Sequence, residues 1–370
     1  MNKDPIDVAT VMASGDWSSD RCDVLSILWA VTKGCNYDCS YCPYSRDVPL
    51  GNFSSRDEIL RAARLLLRLG RPGYQITLYG GEPTYHPHLL DLAEFLSAAS
   101  APVILRMYTN GSRPPSYFHH LGRRTRVNQL GIIFSLHPEF VKFKNFLACV
   151  EETAQSGMAP AVSIMFSARH RDAIKSYVDQ FFALRMSVPF FFEVNLPYTT
   201  GGIMGSECTE DDFAWIKSVR DLFAGLPQPT YRMVPAFTRI VCDVVVKLED
   251  NDIMLSPEDS LRFLNQTATP SYKGFYCCSG TNVLFLEEDG RARGGVCSAS
   301  KYIGNFFTDS ELVIAQNMGV VRCDSAACNS IENTPLPKFR RAEDAEACMN
   351  EFRQRAKAYV YRAEARRLAS

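Results

Sequence analysis

Leu25-Ser26-Ile27-Leu28-Trp29-Ala30-Val31-Thr32-Lys33-Gly34-Cys35-Asn36-Tyr37-Asp38-Cys39-Ser40-Tyr41-Cys42 joins an apolar run to a loop that carries three cysteines. Leu25–Val31 reads as a buried strand that leads directly into that loop. The cysteines are spaced x3 and then x2, with an aromatic just before the last. Three thiolates on one tight loop can hold three corners of an iron–sulfur cube, which leaves the fourth iron without a protein ligand. An open iron is a reaction site, whereas a fully ligated cluster is an electron carrier or a structural staple. That asymmetry points to an enzyme. The competing reading is a zinc loop, but zinc takes four ligands, commonly in C-x2-C pairs, and no fourth ligand lies nearby.

Beyond the loop, Ser55 and Glu58 form a capping box ahead of Ile59, Ala62, Ala63, Leu66 and Leu67 at helical spacing. Gly70 and Pro72-Gly73 stop that helix. Strands follow at Gln75–Tyr79, Val103–Tyr108, Leu130–Leu136, Ala161–Phe166 and Val188–Leu196, and helices at Leu89–Ala99, Phe140–Ser156 and Asp172–Arg185. The alternation predicts an α/β fold: a parallel sheet with helices outside, wound right-handedly. In such folds chemistry gathers at the C-terminal strand ends. The unusual sequences fall there: the cysteine loop, Gly80-Gly81-Glu82-Pro83, Thr109-Asn110-Gly111, Ser135-Leu136-His137 and Glu193-Val194-Asn195.

After Pro197 the pattern changes. Tyr198–Gly202 is turn-rich, Glu210–Phe223 reads as a helix, and 201–270 as a whole reads as a helical linker. Residues 271–335 hold a second group of cysteines, and Ala342–Ala369, within a C-terminal segment 336–370, reads as a final helix. Residues 1–24 read as an N-terminal extension before a core at 25–200.

The chain has 370 residues, 40 basic and 41 acidic side chains, and a formal net charge of -1, which argues against nucleic-acid or anionic-membrane binding. Met1–Ser26 carries Asp4, Asp7 and Asp16 and no apolar core, so it is no secretory signal. No stretch approaches the roughly 20 apolar residues of a membrane span, and the expected location is cytoplasmic. In that reducing compartment 13 cysteines argue for thiolate metal ligation rather than disulfides. Cys22, Cys149, Cys208, Cys242 and Cys348 are scattered and read as ordinary thiols.

Cys35-x3-Cys39-x2-Cys42 with Tyr41 resembles the radical SAM superfamily signature. The resemblance implies a partial (β/α)6 TIM-type barrel. Cys35, Cys39 and Cys42 would hold a [4Fe–4S] cluster whose unique iron chelates S-adenosyl-L-methionine, with Tyr41 near the adenine. Gly80-Gly81-Glu82-Pro83 resembles the family's GGEP motif, in which the glycines bring backbone close to a ligand and Glu82 accepts from the methionyl amine. Thr109-Asn110-Gly111 resembles the family's TNG turn, which places Asn110 at the cofactor. Ser135 stands where the family often has a ribose or carboxylate contact, and Arg169 where a cation pairs with the methionyl carboxylate. The GxIxGxxE pattern is absent from the strand before Arg169. His137 and Glu193 are the candidate catalytic groups, with Asn195 beside Glu193; His86 and His88 read as structural.

Cys278, Cys297, Cys323 and Cys328, around a hairpin at Glu288-Asp289-Gly290, resemble the SPASM/twitch auxiliary-cluster domains of that superfamily. Four thiols imply one auxiliary [4Fe–4S] cluster, closer to twitch; Cys277 adjoins Cys278 as an alternative ligand, and a structural zinc is the competing reading. By the same resemblance a flavodoxin or ferredoxin-type reductant delivers an electron, S-adenosylmethionine cleaves to a 5′-deoxyadenosyl radical, a substrate hydrogen is abstracted, and the auxiliary cluster takes up an electron. The substrate reads as a small biosynthetic intermediate of sugar or cyclitol type. The alternatives are a peptide or protein side chain and, in another class, a non-catalytic iron–sulfur electron carrier. About 25 residues before the first strand leave no room there for a leader-peptide-binding domain.

Overall fold

The computed structural model of the protein describes residues 11–15, 24–42, 48–126, 130–196, 198–199, 202–203, 208–227, 229, 244–248, 252–255, 272–295, 297, 301–324, 336–351 and 354. After β1 (Val11–Gly15) come six strands in parallel sequence order: β2 (Val24–Thr32), β3 (Gly73–Gly80), β4 (Val103–Thr109), β5 (Leu130–Leu136), β6 (Ala159–Met165) and β7 (Phe191–Asn195). Between them lie α1 (Arg56–Arg68), α2 (Leu89–Ser97), α3 (Pro115–Arg124), α4 (Phe143–Gln155) and α5 (Arg171–Arg185). The expected capping box of α1 is present: the Ser55 hydroxyl accepts from Glu58 N–H and the Glu58 carboxylate accepts from Ser55 N–H. α3 is an addition to the sequence reading; it starts at Pro115, which suits a first helical turn because that position needs no N–H.

Ile27, Ile76, Leu105, Ile132, Val162 and Val194 form one face of this sheet, and they pack in one core with Ile59, Leu92, Phe118, Phe146 and Ile174 of the helices. Helices on a single face, with strands in chain order, make a barrel-type winding. The alternate residues form the other face, which mixes polar side chains with apolar ones such as Leu28, Ile104 and Ile133. Register aligns Thr77 with Arg106, and Ser135 with Ser163 and Glu193. Thr77 and Arg106 are buried and Glu193 is exposed. This row structure is why the strands look irregular as hydrophobic runs yet fold as an interior sheet.

Two further short strands, β8 (Tyr198–Thr199) and β9 (Gly202–Ile203), pair antiparallel, and α6 (Glu210–Ala224) follows. α6 is tied to α5 by Arg171, whose Nη2 donates to Asp212 Oδ2 at 2.6 Å. The 201–270 segment is not helical throughout. It contains β10 (Val244–Leu248) and β11 (Asp252–Leu255), an antiparallel pair. Val244-Val245-Val246 is a β-branched run, which favours a strand over a helix there.

The late cysteine region opens with β12 (Tyr276–Cys277) and α7 (Ser279–Asn282), and its hairpin is β13 (Val283–Leu286) with β14 (Arg291–Arg293). Gly290 takes the left-handed φ of +83° in the turn between them. This hairpin continues the main sheet: β13 pairs parallel with β2, and β14 carries β15 (Tyr302–Asn305) on its outer side. The result is an open nine-stranded sheet in the order β15-β14-β13-β2-β3-β4-β5-β6-β7. Arg61 of α1 donates to the carbonyls of Phe306 and Asp309 at 2.7 and 2.8 Å, which locks the added strands to the barrel helices.

After α8 (Glu311–Asn317) come β16 (Val321–Arg322) and β17 (Lys338–Phe339). These form a second sheet in the order β11-β10-β1-β17-β12-β16. The N-terminal extension and the segment after residue 336 therefore contribute strands, because β1 finds its partners β10 and β17 more than 200 residues away. The final helix starts at 342, as expected, and is described to 351. Among the described residues no helix is long and apolar enough to cross a membrane.

Candidate cluster and cofactor site

The cysteine loop leaves the C-terminal end of β2 and is gripped by the ends of three other strands. From β3, Gly81 N–H donates to Thr32 O at 2.8 Å and Glu82 N–H to Gly34 O at 2.9 Å. A Cβ on Gly80 would stand 2.0 Å from Thr32 O, and one on Gly81 would stand 2.2 Å from Gly34 O. The two glycines are thus required by the approach of the β3 end to the root of the cysteine loop.

Glu82 is fully buried. Its Oε1 accepts from Thr84 N–H at 3.0 Å, Thr84 Oγ1 at 2.5 Å and Thr109 Oγ1 at 2.8 Å, and its Oε2 accepts from Asn110 N–H at 2.6 Å. Burial pushes its carboxyl above the ordinary range, and these four donors oppose that. The side chain knots the ends of β3 and β4 together, so all of its visible bonding is internal. The sequence reading placed it at a cofactor amine and gave Thr84 and Thr109 no part in holding it; the hydroxyl of Thr84 directly after Pro83 and that of Thr109 at the head of the Thr109-Asn110-Gly111 turn were the available signal.

From β4, Asn110 Nδ2 donates to Asn36 Oδ1 at 2.9 Å and lies 3.8 Å from Cys35 Sγ. Asn110 therefore orients the first thiol of the loop. From the turn after β5, His137 Nδ1 lies 2.8 Å from Tyr41 Oη, and the two rings stack with centroids 5.8 Å apart. Burial pushes the His137 imidazole down to about 4 against the opposing pull of Glu139, so it is neutral near pH 7. Glu139 Oε2 accepts from Ser40 N–H at 2.8 Å, and Phe140 stacks on Tyr37 at 5.4 Å. Sequence reasoning identified His137 but not Glu139 or Phe140, because nothing local says that their turn meets residues about a hundred positions earlier.

The donor set of Cys35, Cys39 and Cys42 fits an iron–sulfur cluster. Burial first, and then Glu139, Cys35 and Cys42, push the Cys39 thiol up to about 12. A thiolate at Cys39 therefore calls for compensating positive charge, which an iron core would supply. Among the described residues no three His, Cys, Asp or Glu side chains converge closely enough to share one metal ion; a cube gives each thiolate its own iron. A polar cofactor also has groups to meet beside the Thr109-Asn110-Gly111 turn. Ser112 Oγ, Arg113 Nε and Tyr117 Oη are buried there without hydrogen-bond partners. The Arg113 guanidinium lies between the Tyr85 and Tyr117 rings, 5.0 and 4.9 Å from their centroids.

The other expected residues are more dispersed. Ser135 is half-buried on the polar sheet face, one strand from Ser163. Asn195 Nδ2 donates to Ser163 Oγ at 3.0 Å, and Glu193 is exposed on the edge strand β7. Arg169 is exposed, just beyond β6.

His86 is buried. His88 N–H donates to its Nδ1 at 3.2 Å, which leaves the ring proton on Nε2, 3.2 Å from Ser54 Oγ. Burial, with His88 adding to it, pushes this imidazole down to about 4 from the ordinary 6.5. Between those two values the unfolded chain binds a proton that the folded chain refuses, so stability is lost as pH falls through that window. The apoprotein is expected to lose up to about 3 kcal/mol between pH 6.5 and 4 from this group. Chemical denaturation across that range, compared with His86→Gln, measures it; equal pH slopes for the two proteins would refute the assignment.

In the second thiol group, Cys277 and Cys278 face opposite ways. Cys277 packs with Val283 and Leu336, and Cys278 with Ala13, Phe339, Ala345 and Cys348. The surrounding backbone converges: Cys323 N–H donates to Phe275 O at 2.7 Å, and a Cβ on Gly294 would meet Gly280 Cα at 2.4 Å. Cys297 is half-buried, and Cys328 lies outside the described residues.

Residues 29–137 match the family model of the Radical SAM superfamily. Human molybdenum cofactor biosynthesis protein 1 is 34% identical over 85 residues, 22% of this chain and 13% of that protein. GTP 3′,8-cyclase of Haemophilus ducreyi is 32% identical over 113 residues, 30% of this chain and 32% of that enzyme. The matched segment thus spans less than a third of either relative. Among solved structures, Streptococcus suis SuiB bound to S-adenosylmethionine is 14% identical with a TM-score of 0.47, over 78% of this chain and 65% of that one. The enzyme anSMEcpe with AdoMet and Cp18Cys peptide is 13% identical with a TM-score of 0.49, over 92% and 99%. Likenesses this distant bear on neither substrate nor reaction.

Proposed function

We propose that the chain, whose residues 29–137 match the family model of the Radical SAM superfamily, is a radical SAM enzyme oxidising a small polar biosynthetic intermediate of sugar or cyclitol type. Cys35, Cys39 and Cys42 would hold a [4Fe–4S] cluster, and S-adenosylmethionine would lie across the strand ends among Tyr41, Asn110, Ser135 and Arg169. Together these groups supply a 5′-deoxyadenosyl radical able to take hydrogen from an unactivated carbon. The single observation that carries this reading is the grip of three strand ends on the thiol loop. Gly81 and Glu82 seat its root, Asn110 orients Cys35, and His137 fixes Tyr41.

The chain's own residues do the positioning. Thr77, Tyr79, Tyr108, Ser135 and Ser163 stand on the inner sheet face, with Arg106 among them and Glu193 at the edge. Such a face suits a substrate rich in hydroxyl groups. Phe285 of β13 comes within 6.1 Å of the Tyr79 ring, so the added hairpin supplies an apolar wall to the same face and limits water there. Cys278, Cys297, Cys323 and Cys328 are the proposed ligands of an auxiliary [4Fe–4S] cluster, and a flavodoxin or ferredoxin-type protein is the proposed reductant.

The test is anaerobic reconstitution with iron and sulfide, followed by incubation with S-adenosylmethionine and dithionite. We expect 5′-deoxyadenosine from the wild type and none from the Cys35/Cys39/Cys42 triple Ala variant, which should still retain the iron of the second thiol group. A cluster-loaded wild type that forms no 5′-deoxyadenosine would overturn the reading.

A further inference from the structure

The turn after β5 carries an acid that neither the motifs nor the sequence assigned a role. Phe140 and Val141 N–H groups both donate to His137 O at 3.1 Å, so His137, Glu139 and Phe140 stand on one tight turn. That turn meets the thiol loop at three points: His137 at Tyr41, Glu139 at Ser40 and Phe140 at Tyr37. Ser40 lies between Cys39 and Cys42, which are themselves joined by a Cys42 N–H to Cys39 O bond of 3.0 Å. Glu139 takes both the N–H and the hydroxyl of Ser40. Among the described residues no cation pairs with it.

We propose that Glu139 is a positioning residue that clamps the thiolate loop through Ser40 and holds the cluster on that loop at low reduction potential. The inference rests on the cluster reading above. Two effects act in the same direction. A full negative charge beside Cys39 disfavours adding an electron to the cluster, since net charge sets cluster potentials. The Ser40 N–H, bound to Glu139, is also withdrawn as a possible donor to cluster sulfur, and such donors raise potentials. Glu139 is half-buried and Ser40 exposed, so salt should screen part of the effect. A low potential matters because an alkyl sulfonium is hard to reduce.

The experiment is a redox titration, followed by EPR, of anaerobically reconstituted full-length protein without substrate. Both the wild type and its variants carry the Cys278→Ala/Cys297→Ala background, so that one cluster is read. Glu139→Gln keeps an acceptor for Ser40 but removes the charge. We expect it to keep wild-type iron and to titrate at higher potential, where 59 mV is a tenfold change in the one-electron equilibrium. The difference should shrink at high ionic strength, and Glu139→Asp should restore the wild-type value. Iron lost in Glu139→Gln but kept at wild-type potential in Glu139→Asp also supports the proposal. Wild-type iron and an unchanged potential in Glu139→Gln would overturn it, as would loss of iron in both variants, which packing alone explains. A wild type that loads no cluster fails the earlier reading instead and is seen before any variant is made.

Discussion

A Gly81→Ala protein is expected to lose most of its iron at the Cys35, Cys39 and Cys42 loop. The added methyl would stand 2.2 Å from Gly34 O and 2.5 Å from Lys33 O, both backbone atoms at the root of the loop. No rotamer relieves that contact, because Cβ has none and the atoms it meets belong to main chain bonded to β3. Either the loop root or the β3 end must move by roughly 1 Å, and a misplacement of about that size costs on the order of 100-fold where geometry is demanding. Overpacking of this kind also costs about 1–3 kcal/mol of stability. Iron per chain after reconstitution and thermal unfolding of the apoprotein measure the two effects. Gly319→Ala is the control, since nothing lies within 4 Å of a Cβ there. Full iron occupancy in Gly81→Ala would show that the β3 end does not set the loop.

Glu82→Ala is expected to destabilise the apoprotein by about 2–4 kcal/mol, before any cofactor is added. Removal of the carboxylate leaves the hydroxyls of Thr84 and Thr109 and the N–H groups of Thr84 and Asn110 without their acceptor. Glu82→Gln does not rescue it, because every partner is a donor and the amide would set its own N–H against one of them. The exchange therefore tests more than cofactor affinity. Denaturant unfolding of the apoprotein separates the two: a Glu82→Ala protein of wild-type stability that fails only to bind S-adenosylmethionine would mean that the carboxylate serves the cofactor directly. Loss of activity in this variant then follows from the loosened Asn110 turn and a misdirected Cys35.

Much of this was readable from local patterns. The three cysteines, the capping box of Ser55 and Glu58, and the apolar periods of β2 to β7 each depend on residues within one element, so spacing alone exposes them. The hairpin at Gly290 was equally visible, but not its place. Whether β13 extends the main sheet or starts a separate unit depends on pairing with β2, across more than 250 residues, and no local period encodes that. The same holds for β1, whose partners lie beyond residue 240.

The roles of individual side chains divide in the same way. Chain chemistry alone established that a loop with three thiols stands at a strand end, because ligand type and spacing are properties of a contiguous segment. Which groups seat that loop was decided in three dimensions. Glu82 turned inward because four donors from two strand ends meet it. Glu139 came into play because the turn after β5 folds onto Ser40. A hydrogen bond between residues a hundred positions apart leaves no periodic trace in the sequence; only the parallel sheet, by aligning its strand ends on one rim, brings the partners within reach.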